Sequence, residues 1–180
     1  MTTDLEKIRF NGWYITPTVN TLGADVFRVS ANHVAKPLGS WEDIERWKKS
    51  GFYNDTLKRE YEICKRLYES GVTVPEPLGI FEVALRGYFL DFFKPKIRRA
   101  FVMQYIPGPT LNEIMGTKRL QHAEELWKSE IEKAVALGFK PHDIGPQNAI
   151  WNKKEDQVYL VDFEGWGYEG EGVQWLKQSK

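Results

Sequence analysis

Three polar residues in the C-terminal half have the types and spacing of a phosphoryl-transfer site. Asp143 sits in the run His142-Asp143-Ile144-Gly145-Pro146-Gln147-Asn148, and Asp162 follows Asn148 by fourteen positions, in Asp162-Phe163-Glu164. Between them, the apolar runs Ala149-Ile150-Trp151 and Val158-Tyr159-Leu160-Val161 flank a polar turn from Asn152 to Gln157, the pattern of a β-hairpin. Antiparallel pairing brings the start of the first strand beside the end of the second. Asn148 and Asp162 are therefore expected at one end of the hairpin, close enough for their oxygens to share a hard cation, with Asp143 on the loop entering that end. Mg²⁺ takes oxygen ligands and keeps waters and phosphates in its shell, and a carboxylate base needs only hydrogen-bond reach to its nucleophile. The layout suits Mg-ATP held beside a general base.

Asp and Asn also favour turns in their own right. A turn preference does not explain Asp162, which closes an apolar strand.

The rest of the chain must position these residues. Residues 1 to 38 read mainly as strands: Trp13-Tyr14-Ile15, then Val26-Phe27-Arg28-Val29 paired with His33-Val34-Ala35-Lys36 across Ser30-Ala31-Asn32. Pro37 is expected to end that strand at Lys36. Ser40 to Lys49 reads as a short helix ended by Gly51. A stronger helix opens at Asn54 or Asp55, with Leu57, Tyr61, Cys64 and Tyr68 as one apolar stripe. It stops at Ser70, before Gly71. Leu78 to Val83 and Ala100 to Tyr105 are strand-like, with an irregular segment or insertion from Gly87 to Arg99. Pro107-Gly108-Pro109 breaks the chain as a linker. Thr110 to Met115 and Ala123 to Leu137 read as helices before the hairpin. This order predicts an α+β chain of two lobes, a strand-rich N-lobe over residues 1–106 with one main helix and a C-lobe over residues 107–180. The short tail after Glu164 leads us to expect an abbreviated helical C-lobe.

With those elements in place the chain resembles the protein-kinase-like superfamily over roughly residues 13 to 166. Val34-Ala35-Lys36 looks like the phosphate-contacting Lys strand, and Arg59-Glu60-Tyr61 like the Glu of the following helix. The stretch from Phe101 to Leu111 is similar to the hinge strand and linker that hold adenine. His142 to Asn148 resembles the catalytic loop, and Asp162-Phe163-Glu164 the metal-binding tripeptide. The nearest flavour is that of small atypical kinases (Rio-type, KEOPS-associated and short bacterial Ser/Thr kinases), with the aminoglycoside-phosphotransferase branch next.

The resemblance implies ATP and Mg²⁺ as cofactors. Lys36 would contact the α- and β-phosphates, Glu60 would orient it, and Met103, Gln104, Tyr105 and Ile106 would line the adenine between the lobes. Asp143 would accept the substrate hydroxyl proton, while Asn148 and Asp162 would hold the metal. The implied activity is a small serine/threonine protein kinase. Two alternatives stay open, a small-molecule hydroxyl kinase of the aminoglycoside-phosphotransferase type and a nucleotide-binding regulatory module with little turnover. The partners implied are a protein or small-molecule hydroxyl and a partner protein completing the short C-lobe. The chain departs from the kinase pattern at several points. His142 directly precedes Asp143, Glu164 stands where Gly usually follows Asp-Phe, and only Gly23 could serve a phosphate-covering turn before Val26. Simpler readings also remain for two residues: Lys36 as an exposed strand-end lysine, and Glu60, beside Lys58 and Glu62, as part of a solvated helix face.

Composition narrows the classes. Lys+Arg and Asp+Glu balance at 25 each, so no overall basic field points to nucleic acid. Lys94, Lys96, Arg98 and Arg99 beside Phe92 and Phe93 read as a solvated loop rather than a nucleic-acid patch. The chain is 42% hydrophobic and 14% aromatic, ordinary for a globular protein. The Trp residues are expected in the core, with Trp166 and Trp175 also candidates to cover a partner surface. One cysteine, Cys64, excludes an internal disulfide; on the apolar stripe it is expected to be packed, not nucleophilic. The three histidines have no zinc-ligand spacing. No signal peptide or membrane-length apolar run is read, so a cytoplasmic protein is expected.

Overall fold

In the computed structural model, which describes residues 26–37, 55–85, 96–117 and 120–169, an α+β chain divides into two units. One comprises Met1–Leu57 and Leu78–Tyr105, the other Lys58–Pro77 and Ile106–Lys180.

The first unit is built on a four-stranded sheet in the order β1-β2-β4-β3, with β1 at Phe27–Arg28, β2 at His33–Pro37, β3 at Pro77–Leu85 and β4 at Lys96–Gln104. The β1–β2 hairpin forms as the polar turn predicts, with Arg28 opposite Val34. Ser30 supports the turn by accepting from the Asn32 amide at 3.2 Å and pairing with His33 Nδ1 at 2.8 Å. β2 runs antiparallel to β4, placing Val34 opposite Met103 and Lys36 opposite Phe101. Ala35, Ala100 and Val102 form a core with Val29, Leu78 and Phe81 packed against it. From Val34 to Pro37 every residue of β2 is buried. Continuous burial, not alternation, marks a strand covered on both faces.

The second unit contains most of helix α1, Asp55–Glu69, and all of helix α2, Leu120–Ala136. Leu57, Ile63, Cys64 and Leu67 are buried on α1, whereas Tyr68 is 45% exposed. The buried stripe is therefore offset from the one expected through Tyr61 and Tyr68, and Glu60, only 3% exposed, lies within it. Gly71, with φ 80°, turns the chain after α1 as expected of a left-handed stop. The Thr73 carbonyl then accepts from the Leu160 amide at 3.0 Å.

The hairpin pairs β6, Ala149–Asn152, with β7, Gln157–Leu160, from Ala149 opposite Leu160 to Asn152 opposite Gln157. Its turn is shaped by Asn152 Oδ1, which accepts from the Lys154 and Glu155 amides, and by Asp156 at φ 52°. Leu111, Ala123, Ala149, Trp151 and Val158 form one buried cluster of this unit, with Ile114, Leu126 and Trp127 packed against it. A further two-stranded pair, β5 at Phe139–Lys140 with β8 at Gly167–Tyr168, has no counterpart in the sequence reading.

Several expectations change in detail. Strand β4 begins at Lys96, so residues 96–99 belong to the sheet and not to an irregular segment. Pro37 closes β2 instead of following it. The helix expected over residues 110–115 is a single 3₁₀ turn at Asn112–Ile114. It is opened by a reciprocal box in which the Thr110 amide donates to Glu113 Oε2 at 2.8 Å and the Glu113 amide to Thr110 Oγ1 at 3.3 Å. Gly116 at φ 80° then turns the chain away. Trp166, a candidate for a partner surface, is 2% exposed and packed inside. The expected strand at Trp13, the helix from Ser40 to Lys49, Gly23 and Trp175 lie outside the described residues. No helix among the described residues is long and apolar enough to cross a membrane.

Candidate active site

The catalytic-loop candidate runs from His142 to a 3₁₀ turn at Pro146–Asn148. Pro146 suits the first position of such a turn, where no backbone donor is needed. The Asp143 carbonyl accepts from the Gly145 amide at 3.0 Å and from Asn148 Nδ2 at 2.9 Å. Only the NH₂ of a carboxamide can pair with a carbonyl, so this bond sets the orientation of Asn148 and leaves its Oδ1 as an acceptor. The Asn148 amide closes the turn on the Gly145 carbonyl at 2.9 Å.

Asp162 comes to the same end of the hairpin. The Val161 amide donates to the Asn148 carbonyl at 3.0 Å, which carries the β6–β7 pairing one step further and places Asp162 immediately beyond. Asp143 and Asp162 both lie at positive φ, 56° and 65°. Aspartate visits this region more readily than most residues other than glycine, as Asp156 does in the hairpin turn. Asp143 is exposed, and Asn148 and Asp162 are half-buried.

The oxygen donors fit a magnesium ion. Asn148 Oδ1 and the Asp162 carboxylate are hard ligands, and a divalent ion in a nucleotide site needs few protein groups because phosphates and waters complete its shell. Among the described residues no cluster of three or more His, Cys, Asp or Glu is placed to hold a metal by itself.

Lys36 is 9% exposed and Glu60 3%. Neither is the solvated surface charge that remained open from the sequence. Charges this buried persist only with partners. Met103 is buried near the end of β4, Gln104 ends that strand opposite His33, and Tyr105 donates its amide to the Asn32 carbonyl at 2.7 Å. Ile106 is buried in the second unit. Cys64, 0% exposed, lies 3.5 Å from the Pro75 carbonyl, and burial, with the nearby Glu60 charge adding to it, pushes its thiol well above the ordinary range. It is a packed residue, as expected, and no nucleophile.

Three features escaped the sequence reading. Gln147 folds its carboxamide over Gly145, in the space a β-carbon would take, and a Gly two residues before a polar side chain was the available signal. The linker is pinned to the hairpin: the Trp151 amide donates to the Pro109 carbonyl and the Leu111 amide to the Ala149 carbonyl, each at 2.9 Å. Arg59 Nη2 donates to the Trp166 carbonyl at 2.7 Å, a contact across 107 positions with no local signature.

Comparison with known proteins bears on the fold. No protein-family model matches the chain. Two solved structures of WbdD superpose on it. One has a TM-score of 0.54 at 17% identity, covering 93% of this chain and 35% of WbdD. The other, a co-crystal with a kinase inhibitor, has a TM-score of 0.52 at 16% identity, covering 93% and 36%. The fold is protein-kinase-like. A curated relative, the 3-deoxy-D-manno-octulosonic acid kinase of Actinobacillus succinogenes, is 25% identical over 151 residues, 78% of this chain and 58% of that protein. The chain thus spans less than two thirds of the length of each of these proteins.

Proposed function

We propose that this chain is an ATP- and Mg²⁺-dependent phosphotransferase that moves the γ-phosphoryl group of ATP to an alcohol hydroxyl, and that the acceptor is a sugar. The observation that carries the reading is the grouping of Asp143, Asn148 and Asp162 at one end of the hairpin, in a kinase-like fold. The acceptor class rests on the curated relative, whose name gives a sugar acid as its substrate. Asp143 could serve a serine or threonine hydroxyl by the same chemistry, so protein acceptors form the comparison arm of the test.

In this reading Asp143 accepts the hydroxyl proton as the acceptor oxygen bonds to the γ-phosphorus and the bond to the β–γ bridging oxygen breaks, releasing ADP. Asn148 and Asp162 hold the metal, which when bound neutralises phosphate charge. Lys36 contacts the α- and β-phosphates and Glu60 orients its ammonium. The backbone from Met103 to Ile106 receives adenine. Phosphoryl transfer demands little covalent chemistry from the protein, so positioning and charge supply most of the catalysis.

Mg²⁺-dependent transfer from γ-labelled ATP to a panel of sugars and sugar acids, with proteins alongside, tests the proposal. Asp143→Asn should lower transfer about 10²–10⁴-fold, as expected for loss of a general base, while ATP binding is retained. ATP bound by both proteins with no transfer by wild type to any acceptor would instead mean a nucleotide-binding module.

A further inference from the structure

Asp162, at φ 65°, is held by hydrogen bonds on both sides. On its N-terminal side the Val161 amide is fixed to the Asn148 carbonyl. On its C-terminal side the chain makes a tight turn in which the Trp166 amide donates to the Phe163 carbonyl at 3.1 Å. Phe163 and Trp166 are both buried and meet edge to face at 5.4 Å. The chain then continues into β8, where Gly167 and Tyr168 pair with Lys140 and Phe139 just before the catalytic loop. Gly165 lies against His142: a β-carbon there would sit 3.4 Å from His142 Nδ1.

One side chain fastens this turn to helix α1. The half-buried Arg59 guanidinium donates through Nη2 to the Trp166 carbonyl at 2.7 Å, a short charge-assisted bond. Two turns further along the same helix, Arg66 stacks over the Tyr168 ring at 5.2 Å. Arg66 grips the segment farther from Asp162, and Arg59 grips it at the joint where the turn closes.

We propose that Arg59 is a positioning residue for the metal-binding segment: by holding the Trp166 carbonyl it fixes the path of the chain from Asp162 to Gly167, and with it the presentation of the Asp162 carboxylate. In this role Arg59 acts through the turn and not as a ligand. The inference rests on the reading of Asp162 as a metal ligand.

The test measures Mn²⁺ affinity in the presence of a non-hydrolysable ATP analogue, by water-proton relaxation, in wild type, Arg59→Ala, Arg59→Lys and Arg66→Ala. Amide hydrogen exchange of residues 163–169 and melting temperature are recorded for each. Arg59→Ala should weaken Mn²⁺ binding about 10-fold, the scale typical of residues that orient metal ligands, and speed exchange in the turn. Arg59→Lys should recover part of the affinity, and Arg66→Ala should keep wild-type affinity despite loosening β8. If Arg59→Ala does not fold, Arg59→Lys carries the comparison, with an intermediate loss expected. Unchanged Mn²⁺ affinity with faster exchange would make the clasp purely structural and overturn the proposal, as would unchanged exchange. Wild type that binds no Mn²⁺–nucleotide, with exchange still dependent on Arg59, would overturn the phosphotransferase reading and the metal role of Arg59 together, while leaving the clasp itself established.

Discussion

At the scale of single residues, two glycines show why the need for glycine must be argued from space as well as from backbone angle. Gly108 has φ 152°, and a β-carbon there would overlap the Trp151 carbonyl oxygen, part of the β6 backbone. Neither the angle nor a backbone atom can yield cheaply. Gly145 has ordinary backbone angles, and the atoms nearest a β-carbon there would be the flexible end of Gln147. Gly108→Ala should therefore destabilise the protein by roughly 3 kcal/mol or more, and Gly145→Ala by less than about 1 kcal/mol. Urea unfolding of the two variants checks the contrast; equal losses would mean the close approach of linker and hairpin is not maintained in solution.

At the scale of elements, the second unit is joined by contacts between distant segments. Helix α2 reaches the turn after α1 through Glu130, whose Oε2 accepts from the Thr73 amide at 2.7 Å while Oε1 pairs with Lys133 at 2.7 Å. Lys133 also donates to the Gly71 carbonyl at 3.3 Å. The Glu130 side chain is 14% exposed, so the bond is partly shielded from water. Glu130→Ala should cost about 1–3 kcal/mol by leaving the Thr73 amide unsatisfied, and Glu130→Gln, which keeps an acceptor, should recover part of it. Chemical denaturation of both variants measures the difference. These contacts also explain why elements that sequence periodicity located well could not be assembled from it. The α2 pattern marks an amphipathic helix, but nothing local says that one of its carboxylates caps a turn near residue 73.

At the scale of the whole molecule, two buried acids act on stability in the same direction. Burial, aided by the Glu60 charge, raises the Cys64 thiol from its ordinary 9.0. Burial, then the 2.7 Å hydrogen bond to Glu155, raises Tyr159 from 10.0 to about 12. In both, the folded protein keeps a proton that the unfolded chain releases. The resulting stability is fully present below the unfolded values and is lost as pH rises through the folded ones, by at most about 1.4 kcal/mol per pH unit for each group. Unfolding free energy should fall from about pH 9 upward, and Tyr159→Phe should flatten the fall between about pH 10 and about pH 12. A stability profile that stays level to about pH 11 would show that neither group is shielded in solution.

What the sequence determined by itself is local. The hairpin was legible because two apolar runs around a polar turn admit one antiparallel register, and that register alone brings Asn148 beside the segment leading to Asp162. The main helix, the β1–β2 turn and the packed Cys64 were legible for the same reason, since each rests on neighbours within a few positions. Glu60 was less so. Tyr61 and Tyr68 suggested one helix face, and the burial of Leu57, Ile63, Cys64 and Leu67 selected another that includes the carboxylate. The positive φ of Asp143 and Asp162, the β5–β8 pair, the pinning of the linker on β6 and the reach of Arg59 to Trp166 were decided only by the tertiary structure. Each depends on residues far apart in the chain, whose meeting is set by burial and by the need of every buried polar group for a partner, and a linear pattern holds no record of which partner it will find.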